Sequence, residues 1–271
     1  MARTCWQTVA HIQAPTKKKC CDTTMRQPLL LSAIVLIASC AISTRAAGQI
    51  DAQLAPFGMM PGTGIHPQWQ FRGLPGKTIA PTAFEWTVMG GVPALEVRTE
   101  RSYGLLRHAW KGAAPAELAW RWQVAQTLPK ADIAVKSGDD AALKVCVMFD
   151  QPIAEIPLLQ RASLSLAGAA TGEAMPHATL CYLWDNRYPS GTTGVNPYTS
   201  RVRYMVLNGT ESAAGVWLSQ RRRLADDFAQ LFGSESPHTP PVTAVVVGAD
   251  SDNTQGSSLA YIDQLRWLSN R

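Results

Sequence analysis

The sequence predicts an all-β protein, an antiparallel β-sandwich of jelly-roll type. Apolar and polar side chains alternate along most of the chain after residue 79, and Gly, Pro, Asn and Asp separate the alternating segments. Alternation with a period of two places every second side chain on the same face of a strand, which gives each strand a core face. Many short strands joined by turns, with one helix among them, are typical of two packed sheets.

The strand candidates follow one another at short spacing along the chain. In the segment LAWRWQV, Leu118, Trp120, Trp122 and Val124 fall on one face, which predicts a half-buried strand that carries two tryptophans into the core. The strand candidates are residues 83–88, 94–99, 103–110, 118–124, 143–149, 158–166, 178–184, 201–207, 242–247 and 261–268.

One segment has the spacing of a helix. Leu224, Phe228 and Phe232 recur on one helical face and Gly233 follows as a stop, which predicts a short amphipathic helix over residues 220–232. Residues 48–78 are rich in Gly and Pro and predict an irregular lead-in. Residues 79–271 contain no internal repeat or linker, so they predict one sandwich domain.

The first 47 residues predict export. Met25 precedes an apolar run over residues 29–38, which has the length of a signal-peptide core and is too short to span a bilayer. We interpret residues 1–24 as an over-extended gene start and residues 25–47 as a signal peptide. Ordinary cleavage near residues 41–47 is favoured, and a lipoprotein signal acylated at Cys40 is the alternative. Either signal predicts a periplasmic or secreted protein. Such a protein contacts a membrane only through the leader or through the lipid on Cys40.

The positive charge of the chain belongs to this leader. The chain carries 25 basic and 20 acidic residues, but six of the basic residues and one of the acidic residues precede Gly48. The remaining body has no net formal charge, so the sequence predicts no nucleic-acid partner.

Two cysteines remain outside the leader, Cys146 and Cys181. They could pair in an oxidising compartment. Free cysteine also packs as a small apolar side chain, and we favour this interpretation, with two reduced thiols in neighbouring strands. Their wide separation excludes a C-x-x-C redox or zinc motif.

A polar segment, GADSDNTQGSS at residues 248–258, follows a strand candidate. Its aspartates invite comparison with a calcium-binding EF-hand loop. That comparison fails, because Gln255 stands at the sixth position, where Gly belongs, and Tyr261 at the twelfth, where a Glu belongs. A turn stabilised by its own side chains is favoured. We expect Asp252 and Asn253 to supply hydrogen-bonding oxygens rather than a calcium shell.

A second polar segment, KSGDD at residues 136–140, precedes the strand candidate 143–149. Lys136, Asp139 and Asp140 offer groups that can hydrogen-bond ligand hydroxyls. The segment is too short for a Walker phosphate loop. A simple polar turn remains an alternative, and so does acid–base catalysis by the two carboxyls, which is disfavoured because adjacent acids usually point apart.

A third polar segment, NPYTSR at residues 196–201, begins as a turn with Pro at its second position. Asn196, Tyr198 and Arg201, together with Trp184 at the end of a strand candidate, combine aromatic rings with an amide and a guanidinium. Rings stack on the apolar faces of sugars while polar groups bond their hydroxyls. A core position for Trp184 is the open alternative.

The quoted segments also carry a resemblance. KADIAVKSGDDAALKVCVMF, CYLWDNRYPSGTTGVNPYTSRVRYMVL and VVVGADSDNTQGSSLAYIDQLRW resemble, in order and spacing, the bacterial domain of unknown function family 3047 over about residues 80–268. That family implies no activity, so no catalytic residue transfers. More loosely, the strand order is similar to galactose-binding-like jelly rolls, which implies a carbohydrate ligand. Asp263-Gln264 replaces the paired acids with which that group often ends, which weakens a cation site.

We therefore predict an exported envelope module that binds a carbohydrate or related polar ligand. The alternatives are a carbohydrate-active hydrolase or lyase on the same fold and a scaffold protein without a small-molecule site. No G-x-S-x-G or H-E-x-x-H motif occurs, so the sequence predicts no catalytic residue, metal or cofactor. Since the three polar segments join strands, and loops on a rigid scaffold often carry recognition, at least two of them should converge. The ligand-binding candidates are Lys136, Asp139, Asp140, Trp184, Asn196, Tyr198, Arg201, Asp252 and Asn253.

Overall fold

Two facing β-sheets form the part of the chain that the structure describes. The structure is a computed structural model and describes residues 53–59, 62, 64–74, 76–171 and 176–268. Its strands and α-helices are, in chain order, β1 (Trp69–Arg72), β2 (Ala80–Pro81), β3 (Ala83–Met89), β4 (Val92–Glu100), β5 (Ser102–Gly112), β6 (Glu117–Gln126), β7 (Ala141–Phe149), α1 (Leu158–Thr171), β8 (Ala178–Trp184), β9 (Thr193–Val195), β10 (Val202–Asn208), β11 (Leu218–Arg223), α2 (Leu224–Phe232), β12 (Val242–Asp250) and β13 (Ser257–Leu268).

The larger sheet has the strand order β1, β5, β12, β7, β8, β10, β9, with the short β2 also paired to β5. The smaller sheet has the order β11, β6, β13, β4, β3. The predicted all-β sandwich is confirmed. Its larger sheet is mixed rather than purely antiparallel, because β10 runs parallel to β8 and β2 runs parallel to β5.

The core between the sheets is built from the inward side chains of alternating strands. Trp120 and Trp122 on β6 are buried, as the sequence predicts. The ring centroids of Trp120 and Tyr182 lie 5.3 Å apart, and those of Trp122 and Trp184 lie 6.1 Å apart. Because β6 belongs to the smaller sheet and β8 to the larger, these aromatic pairs join the two sheets.

Residues 158–166, predicted as a strand, belong instead to helix α1. The helix follows Pro157, whose carbonyl oxygen accepts hydrogen bonds from the backbone N–H groups of Gln160 and Arg161. Proline is tolerated here because the N–H groups at the start of a helix have no intrahelical partner, so none is lost. Leu158 and Leu159 are exposed rather than buried in a sheet. The strand prediction was wrong because strict Leu–Ser alternation covers only four residues, too few to separate the two periods.

Helix α2 begins later than predicted. Residues 218–223 extend the smaller sheet as β11, which pairs with β6 from Leu218 opposite Trp122 to Arg223 opposite Glu117. The predicted start at residue 220 was therefore wrong. The predicted apolar face is confirmed, since Phe228 is buried in the main core.

The lead-in contributes to the core and to a strand. Leu54, Phe57 and Trp69 are buried in the main core. Gly58 lies against the ring of Trp86, and a Cβ at this position would come within 2.2 Å of that ring, so the close approach requires glycine. The prediction of an irregular segment therefore missed β1 and its packing.

Cys146 on β7 and Cys181 on β8 form a disulfide. The two residues stand opposite each other in the antiparallel register. They belong to a second apolar cluster with Ile133 and Tyr204, apart from the main core. The favoured interpretation of two reduced thiols was wrong, because only the strand register places the two side chains together.

The predictions for residues 1–24 and 25–47, with the start at Met25 and the lipid at Cys40, lie outside the described residues. In the part that is described, no helix is both long and apolar enough to cross a membrane.

Candidate functional site

Two of the three polar segments meet because the strands that they flank are antiparallel neighbours. The register pairs Asp250 at the end of β12 with Ala141 at the start of β7. Residues that follow β12 and residues that precede β7 therefore leave the sheet at the same end.

The third segment, residues 196–201, leaves the sheet at the opposite end, where β7 ends and β8 begins. The first residue of β10, Val202, pairs with Thr179 near the start of β8, and the start of β8 pairs with the end of β7. The turn before β10 nevertheless reaches the other two segments. Asn196 Nδ2 donates a hydrogen bond to Asp139 Oδ2 at 2.6 Å, and the Tyr198 hydroxyl lies 3.2 Å from Asn253 Oδ1.

All three segments thus converge, and the predicted convergence is confirmed. We call this cluster the loop site. Its residues are Lys136, Asp139, Asp140, Asn196, Tyr198, Asp252 and Asn253.

Asp140 holds two of the segments together. Its carboxylate is buried and accepts hydrogen bonds from the backbone N–H of Asn253 at 3.1 Å and from the backbone N–H and hydroxyl of Thr254, each at 2.6 Å. A carboxylate that accepts several hydrogen bonds from one loop fixes that loop firmly. Asp140 therefore positions the site and does not offer its oxygens to a ligand.

Asp139 and Asp252 are carboxyls with raised pKa values. Burial raises the pKa of Asp139 above its ordinary value, although Lys144 and the hydrogen bond from Asn196 act against this shift. Burial, together with Asp250, also raises the pKa of Asp252. Its Oδ1 atom is buried and has no hydrogen-bond partner among the described residues.

Tyr198 is the exposed aromatic side chain of the loop site. Its side chain is 53% exposed, whereas its hydroxyl donates a hydrogen bond to the backbone carbonyl of Lys136 at 2.9 Å. The Lys136 ammonium lies 5.4 Å from the ring centroid, within the range of a cation–π contact. The ring is therefore held in one orientation while much of its surface stays in contact with solvent.

A buried ion pair, which the sequence analysis did not identify, lies beside the loop site. Lys144 Nζ on β7 lies 2.6 Å from Asp250 Oδ2, and the ammonium lies 5.7 Å from the Tyr103 ring centroid. Burial alone would lower the pKa of Lys144, but the charge of Asp250 raises it. A charged residue inside the apolar alternation LKVCVMF was the signal that could have revealed this pair.

Trp184, a predicted ligand-binding residue, does not belong to the loop site. Its side chain is 3% exposed and packs in the main core. The core alternative is the correct one, because Trp184 occupies an inward position of β8 beside Tyr182.

Arg201, the other outlying candidate, is buried in a separate cluster. Its guanidinium donates hydrogen bonds to the His177 carbonyl, Gln160 Oε1, Glu235 Oε2 and Gln151 Oε1. The structure therefore assigns Arg201 a stabilising position and corrects the prediction that it contacts a ligand.

Two hollows flank the smaller sheet. An open groove of about 580 Å³ lies between residues 53–57 and the strands β4 and β13, away from the predicted site residues. A hollow of about 170 Å³ lies between residues 128–130 and 254–257, next to the loop site. No group of three or more His, Cys, Asp and Glu side chains in the described part of the chain is placed to hold a metal ion.

The predicted family is found by comparison with family models. The model described as Protein of unknown function (DUF3047) matches residues 67–266. A search of curated proteins found no match to this chain.

Several solved structures are similar to this chain, including the following three. One is the xyloglucanase domain of NopAA, a type three effector from Sinorhizobium fredii, in complex with cellobiose, with 11% identity, a TM-score of 0.39 and coverage of 77% of this chain and 97% of that chain. The β-1,2-glucanase from Parabacteroides distasonis has 10% identity and a TM-score of 0.32, and the match covers 71% of this chain and 22% of that chain. The K1 cleaved adhesin domain of Lys-gingipain from Porphyromonas gingivalis W83 has 10% identity and a TM-score of 0.34, and the match covers 81% of this chain and 99% of that chain.

Proposed function

Since the chain belongs to the DUF3047 family, whose description names no activity, we propose its function from the site: it is an exported module that binds a carbohydrate or related polar ligand at the loop site. The observation that carries this proposal is the exposed ring of Tyr198, which is held by contacts from two other segments. A ring whose orientation is already fixed loses little conformational entropy when a ligand stacks on it.

The polar groups around the ring suit a ligand with many hydroxyls. The Lys136 ammonium can donate hydrogen bonds to ligand hydroxyls. The Asn196 and Asn253 amides already bond Asp139 and Tyr198, and hold the ring in place. An apolar surface surrounded by a few placed donors and acceptors is the usual composition of a small-ligand site. Nothing comparable supports an anionic polymer, because the body of the chain is neutral.

The disulfide supports the proposal of export. Disulfides persist in oxidising compartments and are rare in the cytosol, and Cys146 and Cys181 are paired. N-terminal sequencing of protein recovered from the host should find a start between Cys40 and Asp51. A mature protein in the cytoplasm that retains Met1 would contradict export.

Binding is tested by a glycan array followed by calorimetry. We expect the purified protein to bind at least one glycan series, and Tyr198→Ala to weaken that binding about tenfold, which corresponds to the loss of about 1.4 kcal/mol of ring contact. Phe71→Ala is the matched control, because it removes an exposed aromatic ring from β1. Equal loss in both variants, or no loss in Tyr198→Ala, would overturn the proposal.

A second candidate function, hydrolysis of a glycan, is favoured by one observation. Two carboxyls, Asp139 and Asp252, belong to the one loop site, and burial raises the pKa of each, so that they keep their protons to higher pH, as a general acid must. The test is release of reducing ends from the glycan that binds, with Asp139→Asn as the variant. Turnover that Asp139→Asn abolishes without weakening binding would establish the enzyme. Binding without turnover would rule out the hydrolase and support the binding module.

A further inference from the structure

The hollow next to the loop site shares one segment of the chain with it. Residues 254–257 of the segment 248–258 line one side, directly after Asp252 and Asn253 of the loop site, and residues 128–130 line the other side. Asn253 contacts Tyr198 in the loop site, and the next residue, Thr254, lines the hollow. The Cα atoms of Asn253 and Thr254 are about 3.8 Å apart, as in any two consecutive residues. The loop site and the hollow are therefore joined through consecutive residues of one loop.

The chemistry of the hollow matches that of the ring beside it. Pro129 supplies exposed apolar surface, and Leu128 is buried beneath it. Lys130, Gln255 and Ser257 are exposed at its edge and carry hydrogen-bonding groups. Apolar surface with a polar edge accepts the C–H face of a sugar while its hydroxyls bond the edge.

Gly256 controls the size of the hollow. A Cβ at this position would come within 2.9 Å of Leu128 Cδ2 and 3.4 Å of Thr254 Oγ1. The added methyl group of an alanine therefore occupies space between the two lining segments.

We propose that this hollow is a second subsite for the ligand of the loop site, so that the ligand is an oligosaccharide of at least two units rather than a monosaccharide. The inference rests on the proposed function, because one unit must stack on Tyr198. The next unit lies over Pro129, with its hydroxyls bonded by Lys130 and Gln255.

The experiment compares the monosaccharide, disaccharide and trisaccharide of the series that gives the strongest array signal. By calorimetry, we expect the disaccharide to bind at least tenfold more tightly than the monosaccharide. Gly256→Ala and Lys130→Ala should reduce this difference to less than about threefold and leave the monosaccharide affinity unchanged. Lys111→Ala is the matched control, since Lys111 is an exposed lysine at the far end of β5.

The outcomes separate this inference from the proposed function. Affinity that is independent of ligand length, or a length dependence that survives both Gly256→Ala and Lys130→Ala, overturns the second subsite and leaves binding at Tyr198 intact. Absence of binding to any glycan, or full binding by Tyr198→Ala, overturns the proposed function and this inference with it. Lys130→Ala decides the result if Gly256→Ala does not fold.

Discussion

Tyr198 and Arg201 stand three positions apart in one polar segment, yet they belong to different regions of the molecule. Tyr198 is 53% exposed and joins the loop site through its hydroxyl. Arg201 is 3% exposed and makes four hydrogen bonds inside the protein. The comparison shows that residue type alone does not separate a binding position from a stabilising one. The decisive quantity is how many of the polar groups already have partners within the chain.

The largest effect on stability is expected at Arg201. Arg201→Met removes one of the two arginines that pair with Glu235, Arg203 being the other, and leaves three further acceptors without this donor, so the free energy of unfolding should fall by about 3 kcal/mol. Arg223→Ala is the control, because Arg223 is exposed and its ion pair with Asp226 contributes little. Urea unfolding measures both. Equal stability of the two variants would remove the distinction between the regions.

A smaller loss is expected where the loop site is held together. Asp140→Asn places an amide N–H₂ group opposite donors of Thr254 or Asn253, which should cost about 1–3 kcal/mol. The same variant should also weaken glycan binding, because the loop that carries Asn253 loses its position. Unfolding in urea and calorimetry on one preparation test both effects. Full affinity in a destabilised variant would show that Asp140 does not position the site.

Asp139 gives a small pH-dependent effect on stability. Because burial raises its pKa above the ordinary 3.8, the folded state binds this proton more tightly than the unfolded chain does. Its contribution to stability is therefore present below about pH 3.8 and is lost as the pH rises through the raised pKa. Asp139→Asn should match the wild type at pH 3 and be slightly more stable at pH 7. A variant that is less stable than the wild type at pH 7 contradicts this sign.

The smallest effect on stability is expected at Tyr198. Tyr198→Ala removes an exposed ring and one hydrogen bond at the surface, so the free energy of unfolding should change by about 0.5 kcal/mol or less. Thermal unfolding is sufficient to measure it. A loss as large as that of Arg201→Met would mean that the ring stabilises the fold rather than binding a ligand.

The sequence predicted the sandwich and most of its strands because alternation reports directly which face of a strand is buried. Trp120 and Trp122 were placed correctly for this reason. Residues 158–166 were not, since their short alternation fits a helix as well. Strand register is a property of the assembled sheet, so the pairing of Cys146 with Cys181 could not be read from either strand alone.

The candidate site was predicted in part for a similar reason. Turn residues identified the three polar segments, and their contacts were anticipated from the idea that loops gather at the end of a sandwich. Because β10 runs parallel to β8, the segment 196–201 before β10 lies at the opposite end of the sheet from the other two segments. The idea that loops gather at one end therefore does not explain why Tyr198 reaches Asn253. Trp184 and Arg201 were misplaced because the sequence does not give the number of partners that a side chain has in the folded chain.

The central claim, that the loop site is where the ligand binds, is tested most directly by NMR chemical-shift mapping of the labelled protein during titration with the glycan that binds on the array. The account predicts that the largest backbone amide shifts fall on Lys136, Asp139, Tyr198 and Asn253, with smaller shifts at Lys130 and Gln255. Largest shifts at Val92, Gln264 and Arg266, which line the 580 Å³ groove, would place the ligand elsewhere and contradict the account.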